Sequence, residues 1–324
     1  MKVGLIVAYF GTLPSYFSLF LESCRFNPSF DWIIFTDDTK NYEYPPNVHR
    51  IHMSFSQCKE IVQARFEFPI ALGSPKKLCD YKCAYGHIFQ KYLGEYDWWG
   101  HCDLDQLFGD LTKFITGEML DKYDKIGSLG HLTLYRNESA NNQVFKKKID
   151  GYERYKEVFS SERSFAFDEW LPKNINEIFL NSGRVISLDN IGADINPYRT
   201  TFQLTEYDVQ RRHYVLGSVK NSIFLWKSGK LMQVYRDNGE LHKREFPYVH
   251  LQKRKMKDKR RIFGADSFYI VPNQFLDVAC SPQAILRKSK IFEVLNYQYF
   301  VVKLQSLTYR LKSGDWNMEN VFKK

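Results

Sequence analysis

At 324 residues with 44% hydrophobic and 16% aromatic side chains, the chain is long enough for one large domain or two closely packed ones. The net charge of +9 points to acidic partners: phosphorylated substrates, an anionic membrane or nucleic acid. Six scattered cysteines exclude a secreted disulfide framework and read as reduced thiols of a cytoplasmic protein; no internal repeat, low-complexity tract or clear linker is present.

Residues 3 to 21 carry no charge and follow Lys2, as in a signal peptide or anchor. Gly4, Gly11, Thr12, Pro14, Ser15 and Ser18 interrupt the run, so the reading is strand, turn and helix, with Phe17, Phe20, Leu21 and Cys24 on one helical face. A second strand from Trp32 ends in Asp37 and Asp38, and 47–53 reads as a third. Helices are expected over 58–68 and 80–93. Asp80 and Lys82 at the start of the latter either reach a ligand cleft or form an ordinary charged first turn. Cys79, Cys83 and His87 do not make a zinc site, because a fourth ligand is missing and their spacing is that of a helix core.

The segment Tyr96-Asp-Trp-Trp-Gly-His-Cys-Asp-Leu-Asp105 is the most informative in the chain. An apolar run reads as a buried strand ending in Asp103 and Asp105, which an extended backbone directs to the same side. Paired carboxylates repel, and a divalent cation such as Mn²⁺ or Mg²⁺ removes that cost. Two solvated aspartates opening a turn are the plainer alternative. The alternation of strand and helix predicts a mostly parallel sheet with flanking helices, where ligands bind beyond the carboxyl ends of the strands. Asp37, Asp38, Asp103 and Asp105 all lie at such ends.

Beyond Asp105, a strand over 125–135 contains Gly127 and Gly130, and a helix is expected over 140–160. Asp168 and Glu169 stand between Phe167 and Trp170, suited to acid–base or nucleophilic work, or to a loop cap. Short strands follow at 185–188, 222–226, 231–235 and 246–251, the middle pair forming a hairpin across Lys227-Ser-Gly-Lys. His250 ends the last strand and suits a third metal position, with Lys253 as a point charge for phosphate; a surface histidine beside a solvated basic run is the alternative. The cationic run 253–261 suits nucleic acid or anionic lipid, and two amphipathic helices over 283–312 favour a membrane surface; a solvated face and a packing helix are the plainer alternative. No nucleic-acid motif accompanies them, and no nucleic-acid partner is expected.

Together these segments resemble bacterial glycosyltransferases of the GT-A fold found in capsule and surface-polysaccharide clusters, over Val3 to about Arg261. The likeness rests on Val-Ala-Tyr-Phe, Phe-Thr-Asp-Asp, Lys-Leu-Cys-Asp-Tyr-Lys, Trp-Gly-His-Cys-Asp-Leu-Asp, Gly-His-Leu-Thr-Leu-Tyr-Arg-Asn, Phe-Asp-Glu-Trp and His-Leu-Gln-Lys, in that order. The layout is similar to retaining galactosyl- and glucosyltransferases. The resemblance implies a glycosyltransferase domain over 1–265 and a basic amphipathic helical extension over 266–324. It implies Asp103, Asp105 and His250 as ligands of Mn²⁺ (or Mg²⁺), and Ala8, Tyr9, Phe10 and Asp37 or Asp38 around uridine. Lys82 and Lys253 would meet the donor's phosphates and Asp80 its sugar, with Lys77 also among the donor-binding residues, while Asp168 and Glu169 would be the catalytic pair. Glu169 departs from the Asp-Gln pair of the relatives, and Lys82 replaces their more usual arginine.

The expected activity is transfer of galactose or glucose from a UDP-sugar to a saccharide or lipid-linked oligosaccharide, with retention, at the inner face of the cell membrane. Alternatives are an inverting transferase of the same fold with Asp168 or Glu169 as base, a nucleotidyl- or phosphotransferase, and a non-enzymatic basic binding protein. No P-loop signature supports a kinase.

Overall fold

The computed structural model describes residues 1–169, 172–208, 213–262, 266–294, 300, 301, 303, 304, 307 and 308. The chain forms two compact units: Met1–Pro14 with Asn27–Leu104 and Ile115–Asn190, and Ser15–Phe26 with Asp105–Phe114 and Ile191–Lys324.

The first unit is built on a seven-stranded sheet in the order Val48–His52, Phe30–Thr36, Val3–Ala8, Trp98–Cys102, Leu132–Arg136, Lys125–Ile126, Ile186–Ser187. The first four strands run parallel, the next two pairings are antiparallel and the last is parallel. The α/β class with a mixed, mostly parallel sheet is therefore as the sequence predicted. Near-continuous apolar runs such as Val3–Val7 and Trp98–Cys102 are buried on both faces, as parallel strands require. Gly100 permits the close pairing: a Cβ there would meet the Thr133 carbonyl oxygen at 2.4 Å. One core cluster on this unit joins Ile6, Ile33 and Phe35 to Phe89, Trp99, Tyr135 and Phe159.

Two predicted helices are broken into shorter pieces. The stretch 80–93 is covered by a 3₁₀ helix Pro75–Ala84, one α-turn Tyr85–Ile88 and a 3₁₀ turn Gln90–Tyr92. A three-residue period eclipses side chains at i and i+3, which is how Lys77 and Asp80 meet as a buried ion pair at 2.8 Å. The stretch 140–160 becomes Ser139–Asn142, a 3₁₀ turn Val144–Lys146 and Arg154–Phe159. Between the last two, Asp150 and Gly151 both take positive φ, which no helix continues. The predicted helix 58–68 starts earlier, at Phe55, where Ser54 and Gln57 form a reciprocal capping box. The predicted strand 125–135 is two antiparallel strands around a loop at 127–131.

In the second unit, helix Phe17–Arg25 buries Phe17, Phe20, Leu21 and Cys24, the face expected from spacing. A three-stranded sheet sets Tyr248–His250 between Gln106–Phe108, antiparallel, and Ala193–Asp194, parallel. A six-stranded sheet runs Glu240–Phe246, Lys230–Asp237, Ser222–Lys227, Ser267–Val271, Gln274–Asp277, Lys257–Asp258. The hairpin across Ser228-Gly229 is present, with both residues at positive φ (47° and 78°), the backbone that matches strand twist in two-residue turns.

The region beyond 266 is not helical throughout. Ser267–Val271 and Gln274–Asp277 are strands of the six-stranded sheet, and only then does helix Pro282–Val294 begin. Most of the second expected amphipathic helix lies outside the described residues. Among the described residues, no helix is long and apolar enough to cross a membrane. The basic run is also two-faced rather than uniformly solvated: Lys253, Lys255, Lys257 and Lys259 are exposed, while Arg254 is buried and donates to the carbonyls of Asn196, Arg199 and Thr201. Arg260 is paired with Asp258 at 2.7 Å.

Candidate functional site

In the first unit, the loops that leave the parallel strands carry Tyr9, Phe10, Asp37, Asp38 and Asp103. Tyr9 N donates to Phe35 O at 2.9 Å, and Gly11, at φ 106°, donates its N–H to Asp37 Oδ1 at 2.7 Å. Ala8, Tyr9, Phe10 and Asp37 are thereby brought together. Phe10 is buried against Phe55, with ring centroids 5.5 Å apart. Asp38 faces its own turn and accepts from Lys40 N at 2.9 Å.

Lys82 links two of the expected acids. Its Nζ donates to Asp103 Oδ1 at 2.6 Å and to Gly130 O at 2.9 Å, and lies 3.8 Å from Asp168 Oδ2. Burial opposes the Lys82 charge, but Asp103 and Asp168 outweigh it and hold the ammonium well above the ordinary lysine value. Asp168 is 3% exposed and packs on Gly130, where a Cβ would stand 2.1 Å from its Oδ2. Burial pushes the Asp168 carboxyl well above the usual carboxylate range; Lys82 opposes that shift, and Glu169 and Asp103 add to it. Glu169 is half-buried at the end of the same loop.

Asp80 does not face a cleft. It is fully buried, and its two oxygens accept the backbone N–H groups of Phe165 and Phe167 and the Lys77 ammonium. Lys77 is 4% exposed and also donates to Arg163 O. Asp80 and Lys77 are therefore not free to bind a donor as expected, because their hydrogen-bonding capacity is used inside the protein. The pair instead fixes the loop that carries Asp168. Ala166 in that loop is held at φ 42°, a region costly for a side chain with Cβ, and Asp80 grips the residues on either side of it.

In the second unit, strand pairing places His250 opposite both Gln106 and Asp194. His250 Nδ1 is 2.8 Å from Asp194 Oδ1, and its Nε2 is 3.3 Å from Asp105 Oδ1. A carboxylate accepts only, so Nδ1 carries the proton toward Asp194. Burial works against a charged imidazole, but Asp105 and Asp194 outweigh it and raise His250 well above the ordinary histidine value. Gln252, at φ 51°, closes the turn by donating to Asp194 Oδ1 at 2.6 Å, and Leu251 N donates to Asp105 O at 2.8 Å. Lys253 is exposed, with Nζ over the Tyr198 ring.

This donor chemistry fits a divalent cation. Carboxylate oxygen and imidazole nitrogen suit Mn²⁺, and a metal-binding histidine ordinarily gives its other N–H to a carboxylate, as His250 does to Asp194. Sequence reasoning missed Asp194; its only signal is a lone acid in the apolar run Ile191-Gly-Ala-Asp-Ile195. It also missed Lys125 and Asn176, which look like ordinary strand and helix residues.

The first unit defines an α/β fold in which Asp37 and Asp103 follow strands of a mostly parallel sheet. A family model matches residues 5–279, and the chain belongs to that family, described as a family of unknown function (DUF6625). No curated protein matches its sequence. Among solved structures it is similar to the galactosyltransferase LgtC in complex with donor and acceptor sugar analogues, at 11% identity over 59% of this chain and 75% of that one, with a TM-score of 0.34. It is also similar to mouse xyloside xylosyltransferase 1 in its apo form, at 7% identity over 61% and 88%, with a TM-score of 0.33.

Proposed function

We propose that the protein is a divalent-metal-dependent glycosyltransferase that moves a hexose, galactose or glucose, from a UDP-sugar to a saccharide acceptor, with retention. The observation that carries this reading is Lys82, which joins Asp103, just after a parallel strand, to the buried acid Asp168. In this reading Asp103, Asp105 and His250 hold Mn²⁺ or Mg²⁺, which when bound supplies Lewis-acid stabilisation of the diphosphate leaving group. Lys82 and Lys253 would each meet a phosphate oxygen of the donor. Ala8, Tyr9, Phe10 and Asp37 take the uridine. Asp168 hydrogen-bonds the donor sugar, and the more exposed Glu169 stabilises positive charge at the anomeric carbon.

The acceptor is a lipid-linked oligosaccharide at the cytoplasmic membrane face. The exposed lysines 253, 255, 257 and 259, with Ile262 at 62% exposure beyond them, support that placement by offering cations and an apolar tip to anionic lipid. Flotation with anionic against neutral vesicles tests it, and equal recovery with both would refute it.

The activity is tested by incubation with UDP-, GDP- and CMP-sugars and Mn²⁺. Release of UDP from a UDP-hexose, abolished by Asp103→Asn, is expected, and an α-product from an α-donor by NMR establishes retention. Release of hexose 1-phosphate, with UMP joined to the acceptor, would indicate nucleotidyl transfer instead, and release of UMP would indicate transfer of the phosphohexosyl group.

A further inference from the structure

We propose that Lys125 and Asn176 form an internal strut that sets the position of the Asp168–Glu169 pair, so that both are positioning residues for the reaction. This rests on the glycosyl-transfer reading only for its catalytic consequence; the strut itself is a matter of geometry in the first unit.

Lys125 is fully buried, with its Nζ donating to Asn176 Oδ1 at 2.6 Å and to the Gly127 carbonyl. Asn176 is 7% exposed, and its amide nitrogen donates to Ser128 O at 3.0 Å and to Glu169 O at 2.8 Å. One side chain therefore ties the loop 127–130 to the loop that carries the acid pair. Gly130, two residues beyond Ser128, is the surface on which Asp168 rests. The far end of the strut is itself anchored, because Asn174 caps helix Ile175–Asn181 by accepting from Asn176 N at 2.8 Å.

The residue types fit this task closely. An amide offers one acceptor for an amine and two N–H donors for two carbonyls; a carboxylate of the same shape offers no donor at all. A buried amine is costly, and a methionine would fill the same space with less penalty if packing were the only demand. Burial lowers the Lys125 ammonium to about 7, yet the amine donates hydrogen bonds whether charged or neutral, so the strut persists across neutral pH.

Asn176→Asp keeps an acceptor for Lys125 and removes both donors; Lys125→Met removes the amine and keeps the bulk, and serves if the first variant folds poorly. Two readouts are taken on each: kcat and KM for UDP-hexose hydrolysis with Mn²⁺, and hydrogen–deuterium exchange of residues 164–169. The expected result is a kcat lower by about tenfold or more, a KM within about twofold of wild type, and faster exchange in that segment. Wild-type kcat and wild-type exchange in both variants would overturn the proposal. If the wild-type protein hydrolyses no nucleotide sugar, the glycosyl-transfer reading falls, and the exchange arm alone then decides the strut: faster exchange upholds it, unchanged exchange overturns it.

Discussion

His250 Nδ1 is hydrogen-bonded to the buried carboxylate of Asp194 at 2.8 Å, which fixes the imidazole plane and leaves Nε2 facing Asp105. An outer carboxylate in this position both orients a ligating histidine and raises its basicity. Asp194→Ala is therefore expected to weaken Mn²⁺ binding by about 10- to 100-fold while leaving the far-UV circular dichroism unchanged. Unaltered Mn²⁺ affinity by titration calorimetry would remove His250 from the ligand set.

The raised pKa of His250 makes metal uptake compete with a proton. Without metal the ring is held as an imidazolium by Asp105 and Asp194, against the opposing effect of burial. A cation must displace the Nε2 proton, so affinity rises with pH, by up to about tenfold per unit while the ring remains protonated. Mn²⁺ titrations in two buffers of different ionisation enthalpy should show net proton release.

Lys125 gives stability its own pH signature. Burial lowers its folded-state pKa to about 7, from 10.5 for an ordinary lysine. Between those values the unfolded chain binds the proton and the folded protein does not, so stability rises with pH across the window and is flat below it. The slope approaches roughly 1.4 kcal/mol per pH unit for one group. In urea melts from pH 7 to 10, the stability of wild type relative to Lys125→Met should rise with pH.

At the acid pair, Gly130→Ala places a Cβ where the Asp168 carboxylate now lies. Asp168 has to move, at a cost of about 1–3 kcal/mol in stability and a larger loss in turnover. Thermal melts and kcat measured together distinguish this from simple unfolding. Retained wild-type kcat would show that the position of Asp168 does not matter.

Removing the Asp80 carboxylate strands the Lys77 ammonium in the interior. Asp80→Ala should lose about 3–5 kcal/mol of stability, the cost of breaking a buried pair from one side. Asp80→Ala/Lys77→Met should recover much of it, and a double variant no more stable than the single would contradict the account.

What could be read from the chain alone follows from the range of the interactions. The alternation of apolar strands and helices over the first hundred residues, the carboxylates after Thr36 and Cys102, and the Ser228-Gly229 turn are local signals, and all three appear in the structure. The inward turn of Asp80 was illegible, because a charged helical first turn looks the same whether it faces solvent or the backbone of Phe165 and Phe167, 85 and 87 residues away. Asp194 was missed for the same reason: it acquires meaning only through His250, 56 residues later. The stretch 80–93 is divided between a 3₁₀ helix, one α-turn and a 3₁₀ turn, a difference of hydrogen-bond pattern that apolar spacing does not report. Arg254 shows the same limit in the basic run, where composition suggested solvent but three carbonyls of the 196–201 segment take the guanidinium.

The proposed activity depends on a cation that couples the Asp103-Leu104-Asp105 segment to a uridine diphosphate. Titration calorimetry of UDP into the protein with and without Mn²⁺, repeated on Asp103→Asn, tests this most directly. The account predicts UDP binding that requires Mn²⁺ and disappears in the variant. UDP binding of equal strength without the metal, or in Asp103→Asn, would contradict it.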